Sequence, residues 1–221
     1  MVAVGRCCPT AAGTAVTTTD VRQKMRRKRL FGLVIVGLIC FGMAAPGPSN
    51  ADPLVDDIAP PLPVIVAGPS NWQPKFPYPF DASRNQVTDG DINAEREMCQ
   101  WYNAQYDALI KQIDRFNTNL TRSNGDYTVE NNQAIADAVT ANIDQSEAYL
   151  APRAQALTLT QDYLGDDFFP LYQGESFFRL WQHLSNVSAG IHGRQPAWFV
   201  GPSLQRAKRW GSRIGHSHVC D

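Results

Sequence analysis

Met98, Tyr102, Tyr106, Leu109, Ile113, Phe116 and Leu120 follow one another at steps of four or three, the interval that stacks side chains on one face of an α-helix. No stretch of the chain alternates convincingly at period two, and no internal repeat is visible. The stripe therefore predicts a helix of about 30 residues. Asp89, Asp91, Glu95 and Glu97 crowd its start, where negative charge meets the positive end of the helix dipole.

The turn signal Ser123-Asn124-Gly125-Asp126 separates this helix from a second, with Ile135, Val139, Ile143 and Leu150 on one face. Its Ala134, Ala138, Ala141 and Ala148 are small enough to let a neighbour approach closely. Pro152 is expected to end or kink it, because the residue before a proline is biased away from helix. Ala154, Leu157, Gln161 and Leu164 suggest a third, shorter helix closed by Gly165, followed by a loop dense in aromatics. A fourth carries Phe177, Leu180, Trp181, Leu184, Val187 and Ile191 and stops at Gly190 or Gly193. A short last helix runs from Pro202 to Ile214 with Leu204, Ala207 and Trp210 facing inward. The expected fold is all-α, a bundle of four to five helices occupying residues 89–221.

The segment before the bundle, residues 52–88, has a different character. Prolines at 53, 60, 61, 63, 69, 74, 77 and 79 remove backbone donors and hold their neighbours extended, which excludes helix and central strand. Val64, Ile65, Val66, Trp72, Phe76, Tyr78 and Phe80 make it too apolar for a solvated linker. An extended arm lying across the domain is preferred to a proline-rich recognition ligand.

Residues 25–51 read as a secretory signal peptide: the basic stretch Arg26–Arg29, an apolar run from Leu30 to Ala45, then small residues with proline before Ser49-Asn50-Ala51. Cleavage is expected after Ala51. The run is shorter than the roughly 20 residues a membrane span needs. Arg29 does not suit a twin-arginine signal, and Ile39 before Cys40 does not suit a lipobox, so ordinary Sec export without a lipid anchor is expected. Residues 1–24 make an odd prefix to such a signal, which is complete from Met25, so translation is expected to start there. The Ala51-Asp52-Pro53 junction and the Pro- and Ala-rich start after it resemble small Sec-exported actinobacterial proteins, particularly mycobacterial ones of unknown function. That resemblance covers the signal peptide and its junction alone.

Export changes the arithmetic of charge and sulfur. Removing residues 1–51 takes away seven of the 20 basic residues and one of the 21 acidic ones, leaving a net charge of about −7. It also removes Cys7, Cys8 and Cys40, leaving Cys99 and Cys220. An even pair in an exported chain reads as a disulfide, and one closing so long a loop contributes on the order of 4 to 5 kcal/mol in the chain-entropy treatment.

That bond also decides how the C-terminal Gly215-His216-Ser217-His218-Val219-Cys220-Asp221 is read. A metal claw there needs the Cys220 thiolate, and a disulfide sulfur is not an ordinary ligand. His216 and His218 remain the candidates that a tail metal site would use. His183 and His192, nine residues apart on one helix, point to opposite faces. Asp89, Asp91, Asn93 and Glu95 imitate the start of a calcium loop, but Ala94 and Gln100 stand where glycine and a bidentate glutamate are needed. No cofactor is expected. No nucleophile elbow, phosphate-cradling loop or H-E-x-x-H motif is present, and aromatic residues at helical spacing are read as core.

Charge distribution says more than any motif. Residues 52–175 hold 19 acids and seven bases, whereas 176–220 hold six arginines and lysines and no acid. Arg206, Lys208, Arg209 and Arg213, with Trp210, form a candidate basic patch. Either they neutralise acidic neighbours inside the bundle, or they present a surface to an anionic envelope lipid, glycan or protein. Nucleic acid does not suit an exported acidic chain. The expected function is binding in the cell envelope or outside the cell, without catalysis. The alternatives are an enzyme with a motif-free pocket among its helices and a metal-binding protein using the histidine tail.

Overall fold

The computed structural model describes residues 58–129, 131–157, 160–161 and 167–221. Residues 1–57, which include the segment expected to be a signal peptide, and Leu164 and Gly165 therefore lie outside the described residues. Among the described residues five α-helices make up the fold: α1 (Asp89–Trp101), α2 (Asp107–Arg122), α3 (Asn132–Ala156), α4 (Gly174–His192) and α5 (Ala197–Ser217). The one strand pairing among the described residues is a two-residue ladder, Thr160–Gln161 against Asp167–Phe168.

Thr88 starts α1 with a reciprocal cap. Its side chain accepts from the Asp91 backbone N–H, and the Asp91 carboxylate accepts from the Thr88 N–H at 2.7 Å, satisfying two backbone donors that a helix start leaves open. Between α1 and α2 the backbone stays helical but widens into a π-turn, Tyr102–Tyr106. The extra residue that a π-turn admits rotates the buried face. It passes through Met98, Trp101, Tyr106, Leu109, Ile113, Phe116 and Leu120, so Trp101 takes the fully buried place expected for Tyr102. Tyr102 moves to the rim, where its ring stacks on that of Tyr106 at 4.7 Å.

Gly125 closes α2 in the left-handed region at φ 83°, with its N–H on the Leu120 carbonyl at 2.7 Å, which lets α3 fold back beside α1 and α2. Ile135, Val139, Ile143 and Leu150 face inward. Ala134, Ala141 and Ala148 do not; they are exposed, Ala138 is partly buried, and Ala136 and Ala154 are the buried alanines of the helix.

Pro152 does not end α3. The helix continues to Ala156 because Ala154 and then Leu157 are buried in the core. Arg153 secures this last turn: Nη1 donates to the Tyr149 carbonyl at 2.6 Å, and Nε pairs with Glu97 on α1 at 2.7 Å. Among the described residues no separate third helix is present. Ala154 belongs to α3, and Gln161 lies in the two-residue ladder.

Helices α4 and α5 share the most extensive helix contact in the fold. The short connection 193–196 makes them antiparallel neighbours. Phe177, Leu180, Leu184, Val187 and Ile191 meet Val200, Leu204, Ala207 and Ile214, all buried. Helix α5 is longer than the expected 202–214 at both ends. Pro202 is tolerated within it because that position is exposed, so solvent can satisfy the carbonyl left without its donor.

Gly211 sets how closely α5 approaches the π-turn. A Cβ there would lie 2.1 Å from the Tyr106 ring. The two tyrosines meanwhile donate to α5 carbonyls, Tyr102 Oη to Gly211 at 2.9 Å and Tyr106 Oη to Lys208 at 3.3 Å.

Residues 58–79 have neither helix nor strand, and 3-10 helix follows at Phe80–Gln86, inside the segment expected to be extended throughout. Side-chain amides of the helices serve the backbone of this segment. Asn142 accepts from the Leu62 N–H at 3.0 Å and donates to the Pro60 carbonyl at 2.9 Å, while Gln100 bonds both the N–H and the carbonyl of Gly68. Gln105 and Gln145 donate to the Pro63 carbonyl. Prolines strip this segment of donors, and its carbonyls take theirs from glutamine and asparagine instead.

Candidate functional site

Helix α5 contains no acidic residue. At about 100° per residue, Trp198, Phe199, Pro202, Arg206, Arg209 and Arg213 fall within one arc of about 100°. All six are exposed, whereas Val200, Leu204, Ala207, Gly211 and Ile214 on the other side are buried. The burial pattern and the helical period thus define the same solvent face.

The five residues expected to form a basic patch do not stay together. Lys208 turns toward α2 and pairs with Asp114 at 3.2 Å, a half-exposed pair that contributes at most about 1 kcal/mol. Trp210 is half-buried, with the Arg213 guanidinium over its ring at 4.8 Å. Arg206, Arg209 and Arg213 form no ion pair among the described residues. Internal neutralisation accounts for Lys208; it does not account for the three arginines.

Positive charge extends onto α4. Arg179 and Arg206 both act on His183, whose pKa is lowered first by burial and then by these two guanidinium charges. The neutral imidazole is favoured there. Arg179 is partly offset by Glu175 at 3.7 Å.

Trp198 and Phe199 extend this face at the N-terminal end of α5. They are 76% and 48% exposed, with their rings nearly perpendicular at 6.2 Å. Aromatic rings left this far in water forgo a large burial gain. Beside Trp198 lies a depression of about 260 Å³ lined by Thr121, Asn124, Gly125, Pro196 and Ala197.

Cys99 and Cys220 are bonded, 121 positions apart in sequence, with Cα atoms 5.0 Å apart. His216 is held through Nδ1 by Ser212, and His218 pairs through Nδ1 with Asp221 at 2.7 Å. Among the described residues no group of three His, Cys, Asp or Glu side chains converges for a metal. Asp91 serves the helix cap and Glu95 is buried one turn further on, so the residues resembling a calcium loop are helical. His192 and Ser188 do meet, but through Asp144: the hydroxyl donates to one carboxylate oxygen at 2.5 Å and the imidazole contacts the other at 2.9 Å. With the carboxylate in the middle, the imidazole does not face the hydroxyl as a catalytic base must.

A second cavity of about 260 Å³ lies at the start of α4, with Phe80, Phe169, Tyr172 and Arg213 among its walls. Glu175, which pairs with Arg179, lines it too, and the Ser176 hydroxyl is already bonded to Gln173 at 2.5 Å.

No protein-family model, curated protein or solved structure matches the chain. The surface chemistry of α5 therefore carries the functional reading. Trp198 and Phe199 escaped the sequence reading because the last helix was expected to begin at Pro202. Their signal was present in Pro196-Ala197-Trp198-Phe199, a proline followed by adjacent aromatics beside a basic helix.

Proposed function

We propose that the protein is exported by the Sec route, cleaved after Ala51, and acts in the cell envelope or outside the cell by binding an anionic partner, with no catalysis of its own. Residues 52–88 then serve as an arm across the helices. The observation carrying this reading is the solvent face of α5, where Arg206, Arg209 and Arg213 are exposed and, among the described residues, without ion pairs, while the rest of the expected mature chain is acidic. Such a local field draws anionic partners despite the net negative charge.

Sedimentation with isolated envelopes of the native host tests it. The oxidised protein should sediment with them and release as salt rises, and an R206Q/R209Q/R213Q variant should remain in solution. Equal sedimentation of the two proteins would remove α5 as the binding face. Detection of an intact N-terminus on protein recovered outside the cell would refute the cleavage.

A further inference from the structure

We infer that α5 docks lengthwise on an anionic lipid surface, with Trp198 and Phe199 seated at the headgroup boundary and Arg206, Arg209 and Arg213 against lipid phosphates. This rests on the binding role proposed for α5 and names the class of partner.

Four observations converge on it. The first is shape: the 21 residues of Ala197–Ser217 form a rod about 30 Å long, with its exposed residues along one side. That suits a plane better than a groove-bound peptide. The second is polarity along the rod. A pair of exposed aromatics stands at one end, and three arginines spaced by three and four positions occupy the remainder. An interfacial helix needs both elements, an apolar wedge to enter the boundary and cations for the phosphates.

The third is the kind of cation. All three unpaired groups are arginines, whose planar donors match phosphate oxygens in pairs, while the lysine of this helix is tied to Asp114. The fourth is that, among the described residues, no helix is long and apolar enough to cross a membrane. The aromatic pair thus fits a helix lying on the surface, not one passing through it.

Co-sedimentation of the oxidised protein with vesicles tests the inference. One set is phosphatidylcholine alone, and the other contains about a third phosphatidylglycerol. Binding is expected to the second set only, and should weaken with salt. Each arginine near such a surface is worth about fivefold in partitioning, so the R206Q/R209Q/R213Q variant should bind roughly a hundredfold more weakly. Brominated acyl chains should quench tryptophan emission in the wild type, and a W198F variant, which retains an apolar ring, should bind but lose most of that quenching.

Equal binding to both vesicle sets, unchanged binding of the triple variant, or quenching that survives W198F would each overturn the inference. Failure to bind either vesicle set, combined with salt-sensitive, arginine-dependent sedimentation with envelopes, would overturn the lipid partner alone. The binding role of α5 would then stand, with a glycan or protein as its target.

Discussion

The indole N–H of Trp72 donates to the carbonyl of Val219 at 2.6 Å, joining residues 147 positions apart. Val219 adjoins the disulfide cysteine Cys220, and Lys75 donates to the carbonyl of His218. On the other side of the bond, Gln100 follows Cys99 and holds Gly68, while Asn103 donates to the Cys220 carbonyl at 3.0 Å. The proline-rich segment, the first helix and the C-terminal tail thus meet at one place. The disulfide lies at that junction.

Trp72→Phe keeps most of the apolar contact and removes the donor. It should lower stability by about 1 kcal/mol, the usual net value of one hydrogen bond. Trp72→Ala removes the ring packing as well and should cost roughly 2 kcal/mol, less than a fully buried aromatic because this one is partly exposed. Urea unfolding of the two variants checks the order. Identical midpoints for wild type and Trp72→Ala would show that the segment is not part of the cooperative fold.

Cleaving the disulfide by Cys99→Ser with Cys220→Ser should reduce stability by about 5 kcal/mol. That is the chain-entropy value for a loop of this length. The expectation is a large fall in the denaturant midpoint under oxidising conditions. The same midpoint in wild type with reductant as without it would contradict the assignment of the bond.

Gly211→Ala places a methyl group 2.1 Å from the Tyr106 ring. Overpacking of this kind costs about 1 to 3 kcal/mol. In a Tyr106→Ala background the obstruction is gone and the same change should cost little, so a double-mutant cycle should return a coupling above about 1 kcal/mol. Additive effects would mean that α5 does not rest on the π-turn.

The Glu95 carboxyl is wholly buried, Oε1 has no hydrogen-bond partner, and burial raises its pKa well above the ordinary value of 4.5. The folded protein therefore retains a proton that the unfolded chain releases as pH rises past that value. This group's contribution is most favourable below the unfolded pKa and declines until the folded-state pKa is reached. Glu95→Gln, which stays neutral, should flatten the profile and gain on wild type as pH increases. Urea midpoints at about pH 5 and pH 8 measure it, and parallel profiles for the two proteins would show Glu95 to be ionised in the fold.

The helical class was legible because the Met98–Leu120 stripe and the Phe177–Ile191 stripe repeat at 3.6 residues, a signal set by local geometry. Helix ends and faces were less so. Pro152 reads as a stop or a kink, and the helix runs on past it because burial of Leu150, Ala154 and Leu157 outweighs the lost hydrogen bond. Tyr102 reads as core, yet the π-turn gives its place to Trp101. Ala134, Ala141 and Ala148 share a face with one another, but composition does not say whether that face meets protein or water.

In the basic region, residue type was legible and orientation was not. The acid-free run 176–220 is plain in the chain, but Arg206, Lys208, Arg209 and Arg213 look alike there.

By itself the amino-acid sequence determined the all-α class and the pairing of Cys99 with Cys220. These follow from local periodicity and from counting. Only the tertiary structure decided that Lys208 is bound to Asp114 while three arginines are not, that Gly211 admits Tyr106, and that Trp198 and Phe199 remain uncovered. The reason is physical: whether a charge or ring is satisfied depends on what other segments bring within a few ångströms of it, and periodicity along one helix carries no record of its neighbours.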